Sequence, residues 1–127
     1  MTETAIHRRP YDDQNVFAKI LRGEIPCDKV YEDEHVLAFR DIAPAAPVHV
    51  LIIPKGPYVS FDDFTEKASE AEMAGWVCAA GRVARELGVA DDGYRVLCNV
   101  GPAGHQEVPH LHMHLFGGRD LGWMIGR

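Results

Sequence analysis

The chain has 127 residues, 46% hydrophobic and 25% charged, the balance of a globular protein long enough to bury one core without staples. A net charge of −6 argues against broad nucleic-acid binding by phosphate neutralisation, while leaving open a small anionic ligand in a locally positive site. Cys27, Cys78 and Cys98 are odd in number and form no CxxC pair, which excludes a disulfide framework or cysteine zinc site and points to a reducing compartment; with no basic-then-apolar leader and no membrane-spanning run, a cytoplasmic protein without membrane or nucleic-acid partners is expected.

Residues 1 to 14 are polar and read as a flexible amino-terminal arm; residues 15 to 127 read as a single domain. Phe17, Ile20 and Leu21 recur at helical spacing before Gly23, so a short amphipathic helix over Val16–Arg22 is predicted, with Asp12 and Asp13 as candidate caps. Lys29–Glu32 and Val36–Arg40 read as two strands around the acidic turn Asp33-Glu34-His35. After a proline-punctuated loop from Asp41 to Pro47, the β-branched run Val48–Pro54 reads as a buried strand. His49 is its one ionisable side chain, and alternation puts it on the face of Leu51 and Ile53.

Residues 55 to 68 read as a connection anchored by Phe61 and Phe64. From about Ser69 to Leu87 the apolar residues Met73, Trp76, Val77, Ala80, Val83, Ala84 and Leu87 mark one long helix, with Ser69 and Glu72 as a capping box and Gly88 as its stop. Tyr94–Val100 reads as a fourth strand. A glycine- and proline-bearing loop, 101 to 109, leads into His110-Leu111-His112-Met113-His114-Leu115-Phe116. At period two the three histidines of this fifth strand share one face, and Leu111, Met113 and Leu115 share the other. Five strands in mostly hairpin order with one long and one short helix argue an α+β fold with an antiparallel sheet. The long helix is expected to cover the leucine–methionine face and leave the imidazoles on the opposite side.

An imidazole row supports three kinds of site. Two strand histidines plus His49 or His110 could ligate zinc, although no obvious carboxylate stands behind them except Glu107. A histidine could instead attack phosphorus covalently if an acceptor holds its other ring nitrogen, with neighbouring histidines donating to the phosphate oxygens. Or the cluster could bind a nucleotide without turnover. Gly101 and Gly104, which allow close backbone approach to an anion, favour the second, as do the neutral donors Asn99 and Gln106. A carboxylate beside an apolar residue, Asp41 next to Ile42, suits a ribose diol beside a base.

The alternating His-apolar run resembles the histidine triad motif. The chain is similar to the Hint branch of the histidine triad (HIT) superfamily, the purine nucleoside phosphoramidases, from about Val16 to Trp123. The likeness includes Phe17-Ala18-Lys19-Ile20, Gly23-Glu24-Ile25-Pro26, Ala38-Phe39-Arg40-Asp41-Ile42, Ala46-Pro47-Val48-His49, Ile53-Pro54-Lys55, Asp92-Gly93-Tyr94-Arg95, Gly104-His105-Gln106-Glu107-Val108 and Gly117-Gly118-Arg119.

This resemblance implies a HIT-like fold paired as a homodimer through a continuous sheet. It implies cleavage of the P–N bond of nucleoside 5′-phosphoramidates through a nucleotidyl-histidine intermediate, with no metal and no other cofactor. His112 matches the nucleophile, and His110 holds it through a backbone carbonyl. His114, with His49, completes the catalytic set. Asn99, Gln106, Glu107 and Val108 match the phosphate side, Asp41 the ribose ligand, and Phe17, Ile20, Phe39, Ile42 and Leu51 the base pocket. Trp123 matches a tail position that approaches the partner subunit's site. The alternative activity within the superfamily is hydrolysis of dinucleoside polyphosphates.

Three positions depart from the branch. Pro109 stands where tyrosine is usual and removes a phenol and a backbone donor. His105 stands where glycine is usual. Glu107 stands where some members carry a serine, and an ionised carboxylate has no proton to give a leaving group. The amino-terminal cysteines of zinc-bearing relatives are absent.

Overall fold

The structure is a computed structural model that describes residues 4–125. Residues 1–3 of the expected arm and residues 126–127 of the expected domain lie outside the described residues. The elements are β1 (Lys29–Glu32), β2 (Val36–Arg40), β3 (Val48–Pro54), β4 (Arg95–Leu97) and β5 (Met113–Gly117), with helices α1 (Val16–Leu21), α2 (Phe61–Lys67) and α3 (Glu70–Glu86). The strands form one five-stranded sheet in the order β1-β2-β3-β5-β4, and every pairing is antiparallel. The α+β fold with an antiparallel sheet, expected from the element order, and the five strands implied by the resemblance are observed.

The two faces of this sheet are closed differently. Val36, Ala38, Val50, Ile52, Leu111, Met113 and Leu115 pack with Trp76, Ala79, Ala80, Val83 and Ala84 of α3 in the main core. Trp76 is part of that core rather than a ligand contact, and its indole N–H donates to the Ile52 carbonyl at 3.0 Å. The capping box at Ser69 and Glu72 is formed. Gly75 lets α3 approach the β1–β2 turn, where an added Cβ would stand 3.1 Å from His35 Cβ, whereas at Gly81 it would meet only the Arg85 guanidinium. On the other face Phe17 of α1 packs with Leu37, Phe39, Leu51 and Ile53.

Four local expectations are corrected. The segment 55 to 68 is not merely a connection, because it contains α2, started by a capping box between Ser60 and Asp63. Phe64 is its buried anchor, with its ring 5.2 Å from that of Trp76; Phe61 is 45% exposed. Helix α1 is capped by Asn15, whose side-chain oxygen accepts from the Ala18 N–H at 2.9 Å. Asp12 instead accepts from the Gln14 N–H in a turn. The histidine strand joins the ladder only at Met113, opposite Ile52. Before that, the Leu111 N–H donates to the Tyr58 carbonyl at 2.9 Å, so the chain has swung from β3 to the following loop. Strand β4 is short for the same reason: Leu97 pairs with His114, and the next residues have no ladder to join.

Candidate active site

The sheet register brings the histidines together. His49 on β3 faces Phe116 across the ladder, and Leu51 faces His114. His49 and His114 are therefore diagonal neighbours on one face. His49 Nε2 lies 3.0 Å from His114 Nδ1, and the His112 and His114 ring centroids lie 5.0 Å apart.

Hydrogen-bond partners settle where each ring carries its proton. The Ala45 backbone N–H donates to His49 Nδ1 at 3.0 Å, so neutral His49 carries its hydrogen on Nε2. That hydrogen points to His114 Nδ1 at 3.0 Å, which must accept. His114 therefore holds its own proton on Nε2, as a donor, in a ring that lines the cleft. His112 has the opposite arrangement. Its Nδ1 is 2.8 Å from the His110 carbonyl, which only accepts, so Nδ1 carries the hydrogen and Nε2 keeps a bare lone pair.

His110 does not line the cleft with the other two. It is fully buried, with Nε2 2.8 Å from the Pro54 carbonyl and Nδ1 2.7 Å from the Tyr11 hydroxyl. Burial lowers the pKa of all four histidines: His110 to about 4, against the opposing pull of the Pro54 carbonyl, and His114 to about 4, helped by His112 and His49. His112 and His49 are lowered by burial too, opposed at His112 by the His110 carbonyl and at His49 by the Asp41 carboxylate. The site is thus built of neutral imidazoles at pH 7, which suits a nucleophile and a neutral donor.

His112 and His114 open into a cleft of about 560 Å³ between α1, strands β2 and β3, and the loop 99–108. Phe17, Ile20, Phe39, Ile42 and Leu51 line it, as do Asp41, Asn99, Glu107 and Val108. It also takes Val16, Ile25, Pro26, Cys27, Arg40 and His105, which the residue pattern does not mark for a site. Phe17 stands edge-on to His112 at 5.0 Å, so the short helix walls the site as well as the minor core. One Asp41 oxygen accepts from the Ala43 N–H at 2.8 Å, and the other lies 3.5 Å from His49 Nε2. Gln106 stays out of the cleft: its amide donates to the Val59 and Val108 carbonyls, and its oxygen accepts from the Gly101 N–H. It shapes the loop from within. His105 has φ of 59° and is the only non-glycine residue with positive φ among the described residues, which accounts for the glycine usual at this position in the resembling family.

Asp41, His49 and His114 present ligand atoms within 4.8 Å of one another. A metal on His49 Nε2 would need the lone pair there and the hydrogen on Nδ1. That hydrogen would oppose the Ala45 N–H, 3.0 Å away. The fixed tautomer argues against a resident ion at this trio.

The HIT domain family matches residues 22–121. An uncharacterised HIT-like protein of Azospirillum brasilense is 62% identical over 92% of this chain and 96% of its own length. The purine nucleoside phosphoramidase of Escherichia coli is 45% identical over 89% of this chain and 94% of its own. The crystal structure of a HIT family hydrolase from Legionella pneumophila superposes with a TM-score of 0.81 at 45% identity, covering 87% of this chain and 98% of that one. With its alternating histidines, its sheet order and these likenesses together, the chain belongs to the HIT domain family of hydrolases.

Proposed function

We propose that this protein hydrolyses the P–N bond of nucleoside 5′-phosphoramidates through a nucleotidyl-His112 intermediate. The observation that carries the reading is the His112 tautomer: with Nδ1–H held by the His110 carbonyl at 2.8 Å, a bare Nε2 is available for attack on phosphorus. In the first step the Nε2–P bond forms, the P–N bond breaks, and the amine leaves with a proton. In the second, water attacks phosphorus, the Nε2–P bond breaks and returns the lone pair to Nε2, and the proton lost by that water neutralises the hydroxide left when the amine was protonated. His114 Nε2–H and Asn99 stabilise charge on the phosphoryl oxygens, and Val108 and Gln106 set the loop beside them. Glu107, an ionised carboxylate, gives no proton, so the amine takes its proton from water. Asp41 binds the ribose hydroxyls, with His49 orienting His114. Phe17, Ile20, Phe39, Ile42 and Leu51 hold a purine. The Escherichia coli relative's name supports this leaving-group class.

Two further readings go with it. The chain works as a homodimer, supported by β4 lying at the sheet edge with Val96 44% and Trp123 71% exposed. It works in the cytoplasm, supported by three free cysteines; among the described residues no helix is long and apolar enough to cross a membrane.

The deciding experiment mixes enzyme with an adenosine 5′-phosphoramidate, quenches it within one turnover and weighs the protein. A mass increase of one nucleotide on the peptide holding His112 is expected. Product release without any adduct would overturn the covalent route. A parallel panel of dinucleoside polyphosphates, turned over faster than the phosphoramidates, would overturn the substrate class.

A further inference from the structure

We propose that Tyr11, on the arm ahead of the matched HIT domain, is a positioning residue that holds His112 through His110. The inference rests on the reading of His112 as nucleophile. Its hydroxyl lies 2.7 Å from His110 Nδ1, and the two rings meet edge to face at 5.6 Å. The direction of the bond is fixed. His110 Nε2 faces a carbonyl, that of Pro54, at 2.8 Å, so it must carry the hydrogen and Nδ1 must accept. Tyr11 is therefore the donor, and burial raises the phenol's pKa, keeping its proton in place.

The arm is held so as to deliver that hydroxyl. On one side of Tyr11 the 3₁₀ turn Ile6–Arg8 is pinned by Arg8 Nη1 on Asp62 at 2.6 Å. The same turn lays His7 on the loop, where a Cβ added at Gly101 would stand 2.6 Å from His7 Nδ1. On the other side Asn15 starts α1. Tyr11 is strung between these two anchors.

What the hydroxyl holds is the residue whose carbonyl sets the nucleophile's tautomer. His110 lies outside the β3–β5 ladder, which begins at Met113, and Pro109 before it has no N–H to give. Side-chain bonds must then fix it: Tyr11 on one nitrogen and Pro54 on the other. Ring packing alone does not need tyrosine, because Phe17 already stands against both His110 and His112, at 6.3 and 5.0 Å. Removing the hydroxyl leaves a buried acceptor without a partner. The ring keeps its Nε2 hydrogen on the Pro54 carbonyl but is left to pivot about that single bond, and the His110 peptide loses its fixed orientation towards His112 Nδ1.

The test is Tyr11→Phe in the full chain, which keeps the ring. Two readouts are taken: kcat and KM on an adenosine 5′-phosphoramidate, and imidazole ¹⁵N NMR of His110 and His112. The expected results are a kcat lowered about tenfold, the scale of one lost oriented hydrogen bond, with KM within about twofold. In the spectra the His110 Nδ1 resonance moves as its donor is lost, and the His112 Nδ1–H signal broadens. In a His110→Gln background the same substitution adds nothing, because the two residues act as one unit. An unchanged kcat and unchanged imidazole spectra would overturn the proposal, as would an equal loss in the His110→Gln background. If the wild-type chain turns over no phosphoramidate, the reading of the substrate fails by itself, and the spectra still decide whether Tyr11 holds the two imidazoles.

Discussion

Strands β3 and β5 send alternate residues to two faces with opposite fates. Val50, Ile52, Met113 and Leu115 enter the main core under α3. His49, Leu51 and His114 turn to the side of α1, where Leu51 joins a minor core and His114 lines the cleft. The cover on the two sides differs in length: 17 residues in α3 and six in α1, roughly 25 Å against 9 Å of helix. A long helix closes a sheet face; a short one leaves part of it open. The open part is where His112 and His114 reach the cleft, held in fixed tautomers by the buried His110 and His49 behind them. One face supplies stability, and the other supplies chemistry at a cost in desolvation.

Substitutions that separate the two faces test this division. The largest effect is expected at the proposed nucleophile. His112→Asn lowers single-turnover phosphoramidate cleavage by at least about a thousandfold, while AMP still binds, as isothermal calorimetry will show. Loss of binding along with turnover would instead make His112 part of the binding face. Next, Ile52→Ala on the closed face costs about 2–5 kcal/mol of unfolding free energy, read by denaturant titration, with kcat per folded molecule kept within a fewfold. A large drop in kcat without a stability loss would erase the distinction between the faces.

Acid should strike the histidine cluster. His110 and His114 titrate near 4 in the folded chain and near 6.5 when unfolded. Between those values the unfolded state binds more protons, so stability is complete above about pH 6.5 and falls as pH drops towards 4. The buried His110 alone accounts for a loss on the order of 3 kcal/mol, and thermal midpoints measured across that window will show the fall. His112→Asn, which leaves His110 in place, should retain most of it. Smallest is His105→Gly. Glycine accepts the φ of 59° found there, so the change should stabilise by about 1 kcal/mol or less, detectable as a small rise in thermal midpoint. A fall in the midpoint would mean that the imidazole, and not the backbone, secures the loop.

Much of this was legible in the residues. The alternation of His110 to Phe116 placed Leu111, Met113 and Leu115 in the core and three histidines on the opposite side, because a strand's period is two; two of them line the cleft, while His110, ahead of the ladder, is fully buried. The heptad-like spacing from Met73 to Val83 marked α3 for a similar reason. Helix α2 was legible only in part: Ser60 and Asp63 carry its cap, but seven residues are too few for periodicity to separate a helix from a connection. The minor core and the site share Phe17, so spacing alone could not assign α1 to one or the other.

Other features have no signature along the chain. Tyr11 and His110 are 99 residues apart, and nothing in the polar arm marks the tyrosine as a partner. Gln106 looks like a ligand-binding side chain, yet three backbone groups occupy its amide.

The sequence by itself determined which residues of the central strands turn towards α3 and which turn away, because alternation follows from local period, and its histidine and loop motifs carry the resemblance to the family. The tertiary structure decided which nitrogen of His49, His110 and His114 carries the proton, whereas the His112 tautomer follows from the carbonyl two residues before it. For those three the choice depends on partners that folding brings to the ring, the Ala45 N–H for His49, His49 itself for His114 and the Pro54 carbonyl for His110, and such contacts are not written in the local order of residues.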